Sequence, residues 1–250
     1  MGLVGSLGPF KKYIRDACLM SVLNIKNKEQ ICAFWRDFII RCLVGGYYAF
    51  SAGVCLQYGI KHLKVFDPHL PQIYFVSNAL SGFSMGLFSL TIAGLYVVRL
   101  RAVSKFAGTF PAIASILGVF MLWPLIVIGP CKGLPLWARI LSCFLLIVSN
   151  ILAVWILSWL GRSFSILAEG RKLVTSGPYA IVRHPLYLIE MVGILGSVIN
   201  FLSWQAVLLF IAQTAMQFVR MHYEEKVLKE SFPEYEAYAA QTSRIIPYLY

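Results

Sequence analysis

The chain is written in long apolar blocks separated by short polar ones, and the blocks predict its elements. The first is Phe38–Ile60, interrupted only by Arg41 near one end, where an arginine can snorkel to the interface. Gln72–Val98 follows, with small residues gathered at Ser81-Gly-Phe-Ser-Met-Gly86, a composition suited to close helix–helix approach. Ala107–Ile128 is the third block and Leu136–Leu160 the fourth. Each exceeds the roughly 20 residues that a helix needs to cross a bilayer. The intervening loops are marked by proline and charge, as in Lys61–Pro71 and Gly129–Pro135.

After Leu160 the pattern changes. Residues 161–183 mix Arg162, Glu169, Arg171, Lys172 and Arg183 with turn residues, and read as an interfacial segment. Two shorter apolar arms then follow, Pro185–Phe201 and Trp204–Val219, parted by Leu202-Ser203 as a tight hairpin. The expected fold is all-α: a polytopic membrane protein of four transmembrane helices, then a C-terminal helical hairpin and a cytoplasmic amphipathic tail that form a cofactor pocket. The expected regions are an N-terminal arm over 1–36 with one or two amphipathic turns, a four-helix scaffold over 37–160, and a binding region over 161–250.

Composition supports the membrane and charge orients it. The chain is 59% hydrophobic and only 13% charged, against about 25% charged in soluble domains. A net charge of +11 could indicate nucleic acid, but the basic residues lie between apolar spans and not on one soluble face, so no nucleic-acid partner is expected. Six Lys/Arg fall in 1–36, three in 99–105, four in 161–184 and four in 219–250, whereas the opposite loops hold only Lys61, Lys64, Lys132 and Arg139. The positive-inside rule therefore places both termini in the cytoplasm. Without a eukaryotic retention signal or long insertions, the expected location is a bacterial inner membrane, or the endoplasmic reticulum for a eukaryotic source. The six cysteines show no CxxC spacing and read as reduced packing residues, so neither a zinc site nor a disulfide framework is expected. Lys11, Lys12, Arg15 and Asp16 precede any long apolar run, which argues against a signal peptide. Met1–Ser6 fits a myristoylation pattern, but the spans already anchor the chain.

Two polar constellations carry candidate chemistry. In Ser176-Gly-Pro-Tyr-Ala-Ile-Val-Arg-His-Pro-Leu-Tyr-Leu-Ile-Glu190, Gly177-Pro178 reads as a turn. Pro185 reads as the first residue of a helix with His184 as its N-cap. Tyr187 and Glu190 then share a face, and Arg183 beside the positive end of the helix forms an anion-ready corner. Glu190 is either a polar group of the pocket or a membrane-edge residue bridging to Arg183. The second constellation is Arg220-Met-His-Tyr-Glu-Glu225, where Arg220 and Glu224 are spaced i,i+4 and Glu225 points about 100° away. By spacing alone the pair is a solvated surface. The hairpin, however, returns it to the face that holds His184 and Tyr187. His222 reads as a surface histidine, and Trp155, Trp159 and Trp204 as interface anchors.

Taken together, Gly177-Pro-Tyr-x-x-Val-Arg-His-Pro-x-Tyr187 and Arg220-x-x-x-Glu-Glu-x-x-Leu…Phe232-x-x-Tyr235-x-x-Tyr238…Ile246-Pro247 resemble the isoprenylcysteine carboxyl methyltransferase family, and more loosely the phospholipid N-methyltransferases. The likeness covers roughly residues 161–250. It implies S-adenosylmethionine (SAM) held by Arg183, His184, Tyr187, Arg220, Glu224 and Glu225, with Glu190 as a further candidate and Leu173, Val174 and Tyr179 for the adenine. Some relatives carry a glycine shortly after the motif tyrosine, where this chain has Leu188-Ile-Glu190. A lipophilic or membrane-delivered acceptor is implied; its reactive group (carboxylate, thiol or amine) and the oligomeric state are left open. The sequence offers no dedicated catalytic base, which favours a carboxylate or a low-pKa thiol. A sterol-reductase-like enzyme using NADPH and a non-catalytic protein that keeps the pocket are the rival readings. A reporter fused after Tyr250 is expected to be active only in its cytoplasmic form; an extracytoplasmic signal would refute the charge argument.

Overall fold

A computed structural model of the chain describes residues 28–64, 70–100, 108–121, 125, 131, 133–166 and 170–247. Among these residues it is all-helical, with seven α-helices, two short 3-10 turns and one isolated parallel bridge between Val182 and Ser243. The helices are α1 (Lys28–Lys64), α2 (Gln72–Val98), α3 (Thr109–Phe120), α4 (Leu136–Leu160), α5 (Pro185–Phe201), α6 (Trp204–Ser231) and α7 (Tyr235–Gln241). Three helices are long and apolar enough to cross a membrane: Asp37–Lys64, Gln72–Val98 and Leu136–Ser163; Pro185–Phe201 is a shorter apolar helix. The predicted third span is helical over Thr109–Phe120, and most of its remainder to Ile128 lies outside the described residues. So do the possible myristoylation site and most of the N-terminal arm, whose end from Lys28 is already helix.

The chain divides into two compact units, up to Leu43 and from Val44. Within the first, Arg41 meets Asp37 one turn earlier at 2.6 Å, and Trp35 packs edge-on against Phe34 and Phe38.

The second unit is organised on α4, which packs along both α2 and α5. In lipid no hydrophobic force drives helices together, so close approach and interhelical hydrogen bonds must do so. Asn150 Nδ2 donates to Ser84 Oγ at 3.2 Å, joining α4 to α2. Ser142 Oγ donates to the Gly196 carbonyl at 2.7 Å, joining α4 to α5. The predicted small-residue patch is used in this way: a Cβ on Gly82 would stand 2.9 Å from the Cys55 carbonyl oxygen of α1. Phe144, Ile151 and Leu87 are about half exposed, as lipid-facing positions require.

The hairpin forms at Leu202, whose φ of 33° turns the chain back, and Ser203 Oγ then caps α6 by accepting from Ala206 N at 3.2 Å. The second arm is longer than its apolar stretch. Nothing between Trp204 and Pro233 breaks a helix, so α6 carries straight through Arg220–Glu225 and stops only at Ser231. Before α5, the segment from 161 is tied to the end of α2: Arg162 Nε donates to the Val98 carbonyl at 2.8 Å and Ile166 N to Tyr96 Oη at 2.9 Å.

Gly177 opens the turn that leads into α5. Its φ is +63°, and an added Cβ would sit 2.4 Å from the Trp159 indole. Trp159, expected as an interface anchor, therefore also seals this turn. Gly177→Ala is expected to destabilise by about 1–3 kcal/mol through strain and overpacking. Thermal unfolding in detergent checks this, and an unchanged Tm would mean the turn yields freely.

Candidate functional site

The C-terminal segment returns to the start of α5 and pairs with it. Arg183 N donates to the Ser243 carbonyl at 2.9 Å and His184 N to the Arg244 carbonyl at 3.0 Å. The Arg183 guanidinium also donates to the carbonyls of Ala239 and Thr242, satisfying groups that the end of α7 leaves unpaired. Pro185 is the first residue of α5 as predicted, but the His184 side chain caps nothing. It turns instead to Glu225.

One oxygen of Glu225 gathers three groups. Arg183 Nε lies at 3.1 Å, Arg244 Nε at 3.2 Å and His184 Nε2 at 3.0 Å from Oε1. Partial burial works against this carboxylate. The hydrogen bond from His184, and the charges of His184, Arg244 and Arg183, outweigh it and hold the pKa at about 2. An ionised carboxylate only accepts, so His184 Nε2 carries the proton of that bond.

Glu224, one residue back, faces elsewhere. Its Oε2 accepts from Tyr187 Oη at 3.0 Å, while the Arg220 guanidinium lies over the same ring, 5.2 Å from its centroid. Arg220 and Glu224, expected to pair, thus meet on Tyr187. One turn further along α5, Glu190 Oε2 accepts from Gln217 Nε2 at 3.0 Å, while the Arg183 guanidinium is engaged by Glu225. Glu190 thus bonds Gln217 and does not bridge to Arg183. Tyr179 is buried, and Tyr238 Oη donates to its carbonyl at 2.7 Å. Burial, reinforced by the charge of Glu224, pushes the Tyr179 phenol well up, so it stays protonated.

These side chains border a cavity of about 480 Å³, within the roughly 300–1,000 Å³ usual for small-molecule sites. Arg183, His184, Tyr187, Glu190, Arg220, Glu224 and Tyr179 all line it. Glu225 stands outside the lining, and so do Leu173 and Val174, which are half-buried. His222 is exposed, as expected.

Residues outside the two motifs complete the lining. Tyr48 of α1, Phe88, Ser89 and Ile92 of α2, and Asn150 of α4 face the same space. From α6 come Gln213 and Gln217, both buried. The α6 pair did carry a signal: Gln213, Gln217, Arg220 and Glu224 recur at spacings of four, three and four, a polar stripe down one face of an apolar helix.

Residues 137–235 match the phospholipid methyltransferase family model. That stretch holds α4, the interfacial segment, the hairpin and the paired glutamates. Over 99 residues the chain is 39% identical to the cobalt-zinc-cadmium resistance protein CzcN of Cupriavidus metallidurans, covering 37% of this chain and 45% of that protein. Over 86 residues it is 38% identical to the nickel-cobalt-cadmium resistance protein NccN of Alcaligenes xylosoxydans xylosoxydans, covering 32% of this chain and 40% of that protein. The chain thus spans less than half the length of the curated relatives it matches.

The Glu225 cluster has a defined pH signature. A carboxylate whose folded pKa is depressed stabilises fully above its ordinary value near 4.5 and loses that contribution as pH falls towards 2. Glu225→Gln is expected to cost about 1–3 kcal/mol at neutral pH. The Tm gap to the wild type should narrow as pH is lowered from 4.5 towards 2. A gap that stayed constant through that window would show that the charge of Glu225 is not what holds the segment.

Proposed function

We propose that this protein is an integral membrane methyltransferase that uses SAM to methylate a lipophilic acceptor, with its polar corner on the cytoplasmic side. The observation that carries the reading is the cavity itself. It joins the side chains of two separated motifs, inside a stretch that matches a methyltransferase family, to a wall of apolar helices.

The residues present fit SAM. Among the described residues Arg220 Nε is buried without a hydrogen-bond partner, a donor that the SAM carboxylate would satisfy. Glu224 offers an acceptor for the SAM ammonium or ribose hydroxyls, and Tyr179 and Tyr187 give aromatic faces for the base. Arg183 and His184 hold Glu225, so their part is to position α5 and the C-terminal segment around the ligand. When bound, SAM supplies an electrophilic methyl on a sulfonium. The protein's contribution is alignment and exclusion of water, which in favourable systems accounts for about 7–11 kcal/mol of the barrier. The apolar wall receives the acceptor's lipophilic body, and the polar stripe of α6 marks where its reactive group must come. Among the described residues no group of three or more His, Cys, Asp or Glu side chains could hold a metal, and the reading assigns the site none.

Calorimetric titration of the purified protein with SAM and with NADPH tests the proposal. SAM binding with no NADPH binding is expected; the reverse would favour a reductase. Glu224→Gln should weaken SAM by about tenfold or more, since a hydrogen bond to a charged group is worth roughly 1.5–3 kcal/mol. Transfer of label from SAM to extracted lipids or thiols separates an enzyme from a protein that only binds.

A further inference from the structure

Glu190 sits one helical turn deeper than Tyr187, between the corner assigned to the cofactor and the apolar half of the cavity. Gly193, Ile194 and Ser197 continue the lining beyond it along α5. Gln217, fully buried, donates Nε2 to Glu190 Oε2 and so fixes the carboxylate plane. Among the described residues, the other Glu190 oxygen has no protein partner. The glutamine oxygens of Gln217 and Gln213, on the same wall, are also buried with no partner. Beside Glu190 the cavity thus presents three oxygens that can accept, while the unpartnered donors of the lining, Arg220 Nε and Ser89 Oγ, stand at the cofactor corner and on α2.

Resting on the proposed function, we propose that Glu190, held by Gln217, takes the proton released by the methyl acceptor, and that this acceptor is therefore an amine or thiol, not a carboxylate. A carboxylate acceptor needs no base and brings no hydrogen to unpartnered oxygens. Glu190 and Glu224 already share the charge of Arg220, so a carboxylate acceptor would add a further negative charge beside them, which is disfavoured. An N–H or S–H group fits all three oxygens, since carboxylate and amide oxygens can only accept.

The step balances. The lone pair of the nitrogen or sulfur forms the new bond to the methyl carbon. The carbon–sulfonium bond breaks with its electron pair going to the sulfur, which leaves as a neutral thioether. The N–H or S–H proton passes to the free oxygen of Glu190, which becomes a neutral acid until it releases the proton to water. Gln217 acts through Glu190 and is a positioning residue.

The test uses the full chain in detergent, with SAM calorimetry first and then turnover of methyl-labelled SAM with dodecylamine, dodecanethiol and dodecanoate. Wild-type protein is expected to bind SAM and to methylate the amine or the thiol in preference to dodecanoate. Glu190→Gln should keep SAM affinity and Tm but lower kcat on the order of a hundredfold or more. Glu190→Asp, which restores a carboxylate, should recover part of that loss. Gln217→Leu should lower kcat with little change in the KM of the acceptor. Wild-type kcat in Glu190→Gln, loss of SAM binding in that variant, or preference of the wild type for dodecanoate each overturns the assignment. So does a wild type that binds SAM yet methylates neither the amine nor the thiol. A wild type that binds no SAM refutes the proposed function itself, and the assignment falls with it.

Discussion

The corner of this protein depends on one carboxylate oxygen. Glu225 Oε1 is approached by Arg183, His184 and Arg244, which come from the entrance of α5 and from the C-terminal segment, while Glu225 belongs to α6. Three stretches far apart in sequence are thus fixed at one point. Where lipid covers much of the helices, apolar burial cannot by itself choose how a terminal segment docks, because the surroundings are as apolar as the contact. A partly buried charge cluster can. It strengthens as water is removed, and it tolerates only the arrangement in which every member is satisfied. The backbone pairing of Arg183 and His184 to the carbonyls of Ser243 and Arg244 holds the same segment beside the cluster.

Helix geometry lets adjacent glutamates do separate work. Consecutive residues point about 100° apart, so with Glu225 turned to the cluster, Glu224 is turned to Tyr187 and the cavity. The same geometry aligns Gln213, Gln217, Arg220 and Glu224 into a stripe that runs from the apolar depth to the polar mouth. In a helix surrounded by apolar residues, each such polar group must find a partner or a ligand. Gln213 gives its Nε2 to the Gly118 carbonyl and Gln217 to Glu190, which fixes α3 and α5 to α6 on either side of the space.

The elements legible in the sequence were those set by length and by punctuation. The long apolar runs at 72–98 and 136–160, the start of α5 at Pro185 and the break at Leu202-Ser203 all stand where the pattern puts them. α6 runs beyond its apolar stretch, which ends at Val219, to Ser231, because Pro233 is the first residue that breaks it. The site was half legible. Arg220, Glu224, His184 and Tyr187 are visible as motifs, and they do share one cavity. Missing were the partners that tertiary folding alone supplies. Arg244 arrives from sixty residues beyond His184 in the chain, and no local spacing announces that it meets Glu225. Nor does a uniformly apolar helix reveal which of its faces looks inward: Phe88 and Ile92 line the cavity, while Leu87 and Leu90 on the same helix are exposed.

The limits of the family match carry a further consequence. The matched stretch, residues 137–235, contains Tyr179, Tyr187, Arg220 and Glu224, the groups that the proposed function gives to the cofactor. Outside it lie Tyr48, Phe88, Ser89 and Ile92, which close the other side of the same cavity. A common methyl donor requires a common set of polar groups, and an acceptor that varies from protein to protein requires a wall free to vary. In the proposed reading the two requirements fall on different elements of this chain: α5 and α6 hold the polar groups given to the donor, and α1 and α2 shape the space left for the acceptor. Glu190 belongs to the matched stretch and lines the same cavity as those unmatched residues. In the proposed function, choice of acceptor then follows from the apolar helices as much as from the motif.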